Sequence, residues 1–302
     1  MTVMKRVVVM GAVGLLAACD TGEPADPAPA ESVELDVEDL EVVSEYVAPE
    51  VVEEMEEVLD EFAAAEADPQ AFFFNGFDAA YVDCDEYAGV GPTLAIETAR
   101  ALVPDDYTVI EPFPGAAIVV AQAGDCASIE IEGWDLGPGR FAQIGVSVVP
   151  PGDAGNGDFY QLAYATTNPL LALKLKLMGV NASWAPDLVY EISASDDLTI
   201  EMPRPKKFAY RLEGPITRPD PNATPNPETI FNYYAEGNGI FGQVLQQNVV
   251  QGIIFGEGSG VMLTPLGDET KALTNDAPLA FPFFSAPETF DRADLFVVPN
   301  SF

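Results

Sequence analysis

The chain has 302 residues, of which 49 are Asp or Glu, 13 are Lys or Arg and none is His, giving a formal net charge of -36 at pH 7. That acid excess argues against nucleic acid and anionic lipid headgroups as partners, because both would be repelled over a long range. The missing histidine removes the commonest general base, every Ser-His triad and the usual imidazole metal ligands.

The first element is an export signal over 1–18. Lys5 and Arg6 precede an apolar run from Val7 to Leu16 that is too short to span a bilayer, and Leu16-Ala17-Ala18 leads to Cys19. The stretch Leu-Ala-Ala-Cys resembles the bacterial lipobox, which implies lipid on Cys19, a membrane as partner through that lipid, and a place in the bacterial cell envelope. Two cysteines then remain, Cys84 and Cys126. In an oxidising compartment a disulfide is their expected use, since they lack the Cys-x-x-Cys spacing of a redox pair.

Residues 19–47 are acidic and rich in Pro and Ala, a composition that buries too little apolar surface to offset chain entropy, and they read as a flexible tether. Over 48–68 an amphipathic helix is expected. Val51, Val52, Met55, Val58, Leu59 and Phe62 recur at helical spacing, with Glu53, Glu54, Glu56, Glu57 and Asp60 opposite.

Residues 69–302 have a length that suits one domain and also admits two lobes, mainly β with a few helices. Short β-type runs punctuated by Gly and Pro predict strands at Tyr107–Ile110, Ala116–Ala121, Ala127–Glu132, Ala142–Val149, Asp187–Ser193, Leu198–Met202, Phe208–Leu212, Val249–Phe255 and Gly260–Thr264. Their spacing points to a barrel or sandwich. Helices are expected at Pro92–Leu102 and Pro169–Met178. The second has Asn168 as cap, Pro169 at the first helical position and Gly179 just past its end. Leucines nearly all round it place it in the core, with Lys174 and Lys176 reaching outward along their stems. The Pro- and Asn-rich stretch from Arg218 to Thr229 reads as a loop, and Gly256 to Gly260 as a turn or bulge.

Several pieces in order resemble the acetoacetate decarboxylase-like superfamily: Leu102-Val103-Pro104-Asp105-Asp106-Tyr107, the strand Gly115 to Val120, Phe141-Ala142-Gln143, Phe159-Tyr160-Gln161-Leu162-Ala163-Tyr164, the helix 169–178 and the turn Gly179-Val180-Asn181-Ala182-Ser183. Phe231 to Gly242 and Phe255 to Gly260 are similar to later strands of barrel-fold relatives. The resemblance implies a double β-barrel or closed antiparallel barrel with a small-molecule cavity. It also implies a lysine nucleophile that forms a Schiff base with a β-keto acid. The family's lysine pair follows the helix, where this chain reads Gly179 to Ser183, so both lysines are missing. Phe141-Ala142-Gln143 likewise puts an amide where the family has a carboxylate.

The expected function is therefore a lipid-anchored barrel without catalysis, binding a small, partly apolar molecule or serving a structural role in the envelope, with neither cofactor nor metal. Gln143, Tyr164, Trp134, Trp184 and Arg140 are the candidate cavity residues. The alternative is an exported lyase acting on a small keto acid. Its nucleophile would be Lys206 or Lys207, which follow Pro205 one hairpin later, or Arg140 would work with Glu130 or Glu132.

Overall fold

The computed structural model describes residues 76–151, 158–236, 243–258 and 260–300, together with Pro49 and Val52, which are both helical. The export signal, Cys19, the tether and nearly all of the expected helix over 48–68 lie outside the described residues.

In chain order the elements are β1 (Phe77–Thr93), α1 (Ile96–Ala101), β2 (Thr108–Val109), β3 (Ala117–Ile131), β4 (Trp134–Asp135), β5 (Gly139–Val149) and β6 (Asp158–Thr166). After them come α2 (Pro169–Leu177), β7 (Ala182–Trp184), β8 (Val189–Ile192), β9 (Asp197–Met202), a 3-10 turn (Lys206–Phe208) and β10 (Tyr210–Pro215). The last are β11 (Asn226–Glu236), β12 (Gln243–Phe255), β13 (Met262–Pro265), α3 (Asp268–Thr274), β14 (Leu279–Ala280) and β15 (Phe284–Asn300).

Seven of these strands close on themselves in the order β5-β3-β1-β15-β12-β11-β6, and β6 pairs back to β5. Every pairing is antiparallel except β6 with β11, so the barrel is mixed rather than wholly antiparallel. Closure leaves no free edge within the ring. A second, five-stranded antiparallel sheet, β14-β13-β10-β9-β8, covers the outer face of the ring. Tyr87, Ala121, Ala123 and Ile144 share one core with Tyr190, Ile200, Tyr210 and Leu263 of that sheet.

The long strands bury two faces, and this hides their period. β1 reads as alternation only when Tyr81, Cys84 and Glu86 are all placed inward. Asp83, with φ 49°, sits between them and lets the inward side pass from odd to even positions. Cys84 and Cys126 are directly paired across β1 and β3 and joined as a disulfide. Gly124 comes so close to the Phe141 ring that a Cβ there would stand 2.6 Å from it.

α2 begins where expected. Asn168 accepts a hydrogen bond from the Leu171 amide at 2.9 Å, and Pro169 fills the first turn. Its leucines pack with Phe77, Tyr81, Ile129, Leu295 and Val297, so the helix fills one end of the barrel. Lys174 does not extend into solvent as expected. It is buried, with its ammonium 3.1 Å from Glu132. Other expectations also shift. Pro92 and Thr93 end β1 rather than start a helix, and 226–229 belong to β11 rather than to a loop.

Candidate functional site

Residues paired directly across neighbouring strands present their side chains to the same face. Phe255, Glu288 and Glu86 are such a row across β12, β15 and β1. Ala286, Ala88, Gln122, Gln143 and Tyr164 form the next row, across β15, β1, β3, β5 and β6. Phe284, Val90, Val120, Gly145 and Gln161 form a third, nearer the end of the barrel opposite α2. All point inward.

At the centre lies a directional chain of hydrogen bonds. The Gln161 amide donates to the Gln143 carbonyl oxygen, Gln143 donates to Gln122, and Gln122 donates to Glu86 Oε1. Tyr233 on β11 adds a hydroxyl donor to Gln122 Oε1. Two residues in this interior leave an oxygen unpartnered among the described residues, Gln161 through Oε1 and Gln246 through Oε1. A void lined by Gln143, Gln161, Tyr233, Phe159 and Val120 has room for about one water molecule.

Glu86 and Glu288 are each only 4% exposed. Burial raises Glu86 to about 8, with the Gln122 hydrogen bond opposing the shift. Burial, with the Glu86 charge next to it, raises Glu288 to about 9. Two carboxyl groups taken from water onto adjacent strands without a cation hold their protons at neutral pH. None of the barrel strands carries a lysine, and Arg140 and Arg292 pair with acids on the outer side, Asp125 at 3.4 Å and Glu130 at 2.8 Å.

Toward α2 the interior becomes aromatic. Tyr81 and Phe141 stack at 4.5 Å, Phe141 and Tyr164 lie parallel at 6.3 Å, and the Tyr81 and Tyr164 hydroxyls hydrogen-bond. Burial pushes both phenols up. Toward the other end Phe255 and Phe284 meet edge to face at 5.8 Å, each 38% exposed, with Val90 the cross-strand partner of Phe284.

The candidate residues read from the sequence are therefore not all brought together. Gln143 and Tyr164 lie in the interior. Arg140 faces outward to Asp125 and to the Leu188 carbonyl. Trp184, on β7, is half-buried and donates to the Thr167 carbonyl at 3.2 Å. Trp134 is 53% exposed, because the tight turn Glu132-Gly133, with φ 51° and 85°, carries it onto the two-residue strand β4 outside the barrel. Lys206 and Lys207 are exposed on the 3-10 turn between β9 and β10, in the covering sheet rather than on the ring. Glu130 is held by Arg292 and Glu132 by Lys174, so neither joins Arg140.

Glu86, Glu288, Gln122 and Gln161 were not singled out. For the glutamines the signal was a lone amide within an apolar run, as in Val119-Val120-Ala121-Gln122-Ala123. For the glutamates there was none, since each lies in an acidic stretch that reads as solvated.

No family model matches the sequence, and none of the curated proteins matches it. Among solved structures the chain is similar to one of acetoacetate decarboxylase, with TM-score 0.46 and 15% identity over 76% of this chain and 89% of that one. It is also similar to the acetoacetate decarboxylase of Legionella pneumophila subsp. pneumophila strain Philadelphia 1, with TM-score 0.46 and 11% identity over 76% and 90%. A third is the enduracididine biosynthesis enzyme MppR with HEPES buffer bound, with TM-score 0.46 and 11% identity over 75% and 87%. These are likenesses of fold alone.

Proposed function

We propose that this chain is a lipid-anchored protein of the bacterial envelope whose barrel binds a small, partly apolar molecule without transforming it. The observation that carries this reading is the inner face of the barrel. It presents buried carboxyl and amide groups beside the half-exposed rings of Phe255 and Phe284, and no strand of the ring supplies an amine. Schiff-base chemistry needs a lysine within reach of the bound carbonyl. Lys206 and Lys207 are instead solvated on a turn of the covering sheet, and Lys174 is held by Glu132.

The filled interior favours a second reading, a barrel that serves only as a structural envelope component. Binding and structure separate on whether any small molecule saturates the protein.

The catalytic alternative is tested by borohydride trapping of the full chain with a panel of small β-keto acids, read by peptide mass spectrometry. No reduced adduct is expected on any lysine. An adduct on Lys206, Lys207 or Lys174 that grows with keto acid concentration would overturn the non-catalytic reading.

A further inference from the structure

Two acceptors of the barrel interior are unpartnered among the described residues. The interior's hydrogen-bond chain ends at one side on Glu86 and at the other on Gln161, whose Oε1 has no partner among the described residues although Gln161 is only 4% exposed and lines the void. Gln246, paired on β12 with Tyr233 and therefore on the same inner face, is likewise buried with an unpartnered carbonyl oxygen. An occupant that satisfies these atoms must donate hydrogen bonds.

Charge points the same way. Glu86 and Glu288 are register partners, and no Lys or Arg on a barrel strand faces them. A carboxylate ligand, such as a keto acid, would add a third acid to a buried pair and meet no cation, at a large desolvation cost. An ammonium would meet two carboxyl groups. The chain's net charge of -36 also concentrates cations around it. Phe255 sits in the same row as Glu288, and its ring meets Phe284 at 89°, which leaves apolar ring surface half-exposed next to the acids in register. Aromatic faces suit an apolar tail and also a cation passing over them.

We infer that the site takes a small primary amine in its protonated form, its ammonium against Glu86 and Glu288 and its apolar part against the exposed ring surfaces of Phe255 and Phe284. This rests on the reading of the barrel as a binding protein. The arriving positive charge is balanced when one carboxyl group of the pair ionises and its proton leaves to solvent. Tyr81, Tyr164 and Tyr233 share the inner face with the pair and stay protonated, since burial raises each of them.

The test is calorimetry on the full chain in non-ionic detergent at neutral pH, with benzylammonium as probe and benzyl alcohol and phenylacetate as neutral and anionic controls. Repeating it in buffers of different ionisation enthalpy counts protons. Saturable binding of benzylammonium with release of about one proton is expected, and the variant Glu86→Gln, Glu288→Gln should bind at least about tenfold more weakly. The proton count stands even if that variant does not fold. Preference for benzyl alcohol or phenylacetate would overturn the amine while leaving a binding barrel. No binding by any of the three would overturn both the amine and the binding reading.

Discussion

Glu86 on β1 and Glu288 on β15 face each other as direct cross-strand partners inside the barrel, both buried, with the Gln122 amide donating to Glu86. In a chain of 49 acidic residues these two are taken out of water together, and they stay there because protonation removes the charge that burial penalises.

That pairing sets a pH dependence. In the unfolded chain both groups titrate near 4.5, whereas in the folded protein they are raised to about 8 and about 9. Between these values the folded state holds protons that the unfolded chain has released. Their contribution to stability is fully present below about pH 4.5 and is lost as pH rises through about 8 to 9, by up to about 1.4 kcal/mol per pH unit for each proton. Denaturant midpoints across that window should fall with rising pH, and the Glu86→Gln, Glu288→Gln variant should flatten the slope. An equally steep slope in the variant would place its origin elsewhere.

Gln122 joins three side chains: it accepts from Gln143 and Tyr233 and donates to Glu86. Gln122→Leu keeps roughly the volume but removes three bonds from a buried network, at a cost of about 1–3 kcal/mol for each group left unsatisfied. Chemical denaturation should therefore show a loss of several kcal/mol, while Gln247→Leu, at a half-buried position of the outer face, should cost far less.

The Cys84–Cys126 bond closes a sequence separation of 42 residues. Chain-entropy arguments give about 4 kcal/mol for a loop of that size. Thermal unfolding with and without reductant, or of Cys84→Ser, Cys126→Ser, should show a drop of that order. An unchanged midpoint would mean that the packing of the two residues, not their bond, holds β1 to β3.

Lys206→Ala, Lys207→Ala removes two exposed side chains. It should change stability by no more than about 0.5 kcal/mol and leave benzylammonium binding as it was. Weakened binding in this variant would bring the turn into the site.

Sequence patterns reached some of this and missed the rest for identifiable reasons. α2 was legible because its signals are local: Asn168 as cap, Pro169 in the first turn and leucines beyond. β9 was legible as a half-buried strand with clean alternation. β3 was expected as two pieces, Ala116–Ala121 and Ala127–Glu132, but runs unbroken from Ala117 to Ile131. The part between holds Gln122, Gly124 and Asp125, and it is strand because Gln122 has inward partners and Gly124 admits the Phe141 ring. Neither fact is visible along one strand. β1 and β15 escaped for the same reason, since Asp83, Glu86, Glu288 and Asp291 interrupt their apolar period. Trp134 was expected in the cavity as a large amphipathic side chain, but the turn at Glu132-Gly133 decides its direction. Lys174 was expected to reach solvent and instead finds Glu132, 42 residues earlier. Closure of the barrel by β6 on β5 sets which acids face inward, and that depends on pairing across the whole chain.

The most direct measurement is infrared difference spectroscopy of the carboxyl carbonyl stretch at neutral pH, comparing the wild-type chain with the Glu86→Gln, Glu288→Gln variant. A barrel whose chemistry is set by a protonated acid pair predicts a protonated-carboxyl band in the wild type that the variant lacks and that diminishes when benzylammonium binds. No such band at neutral pH would mean that the pair is ionised, and would contradict the reading of the interior as a neutral acid pair awaiting a cation.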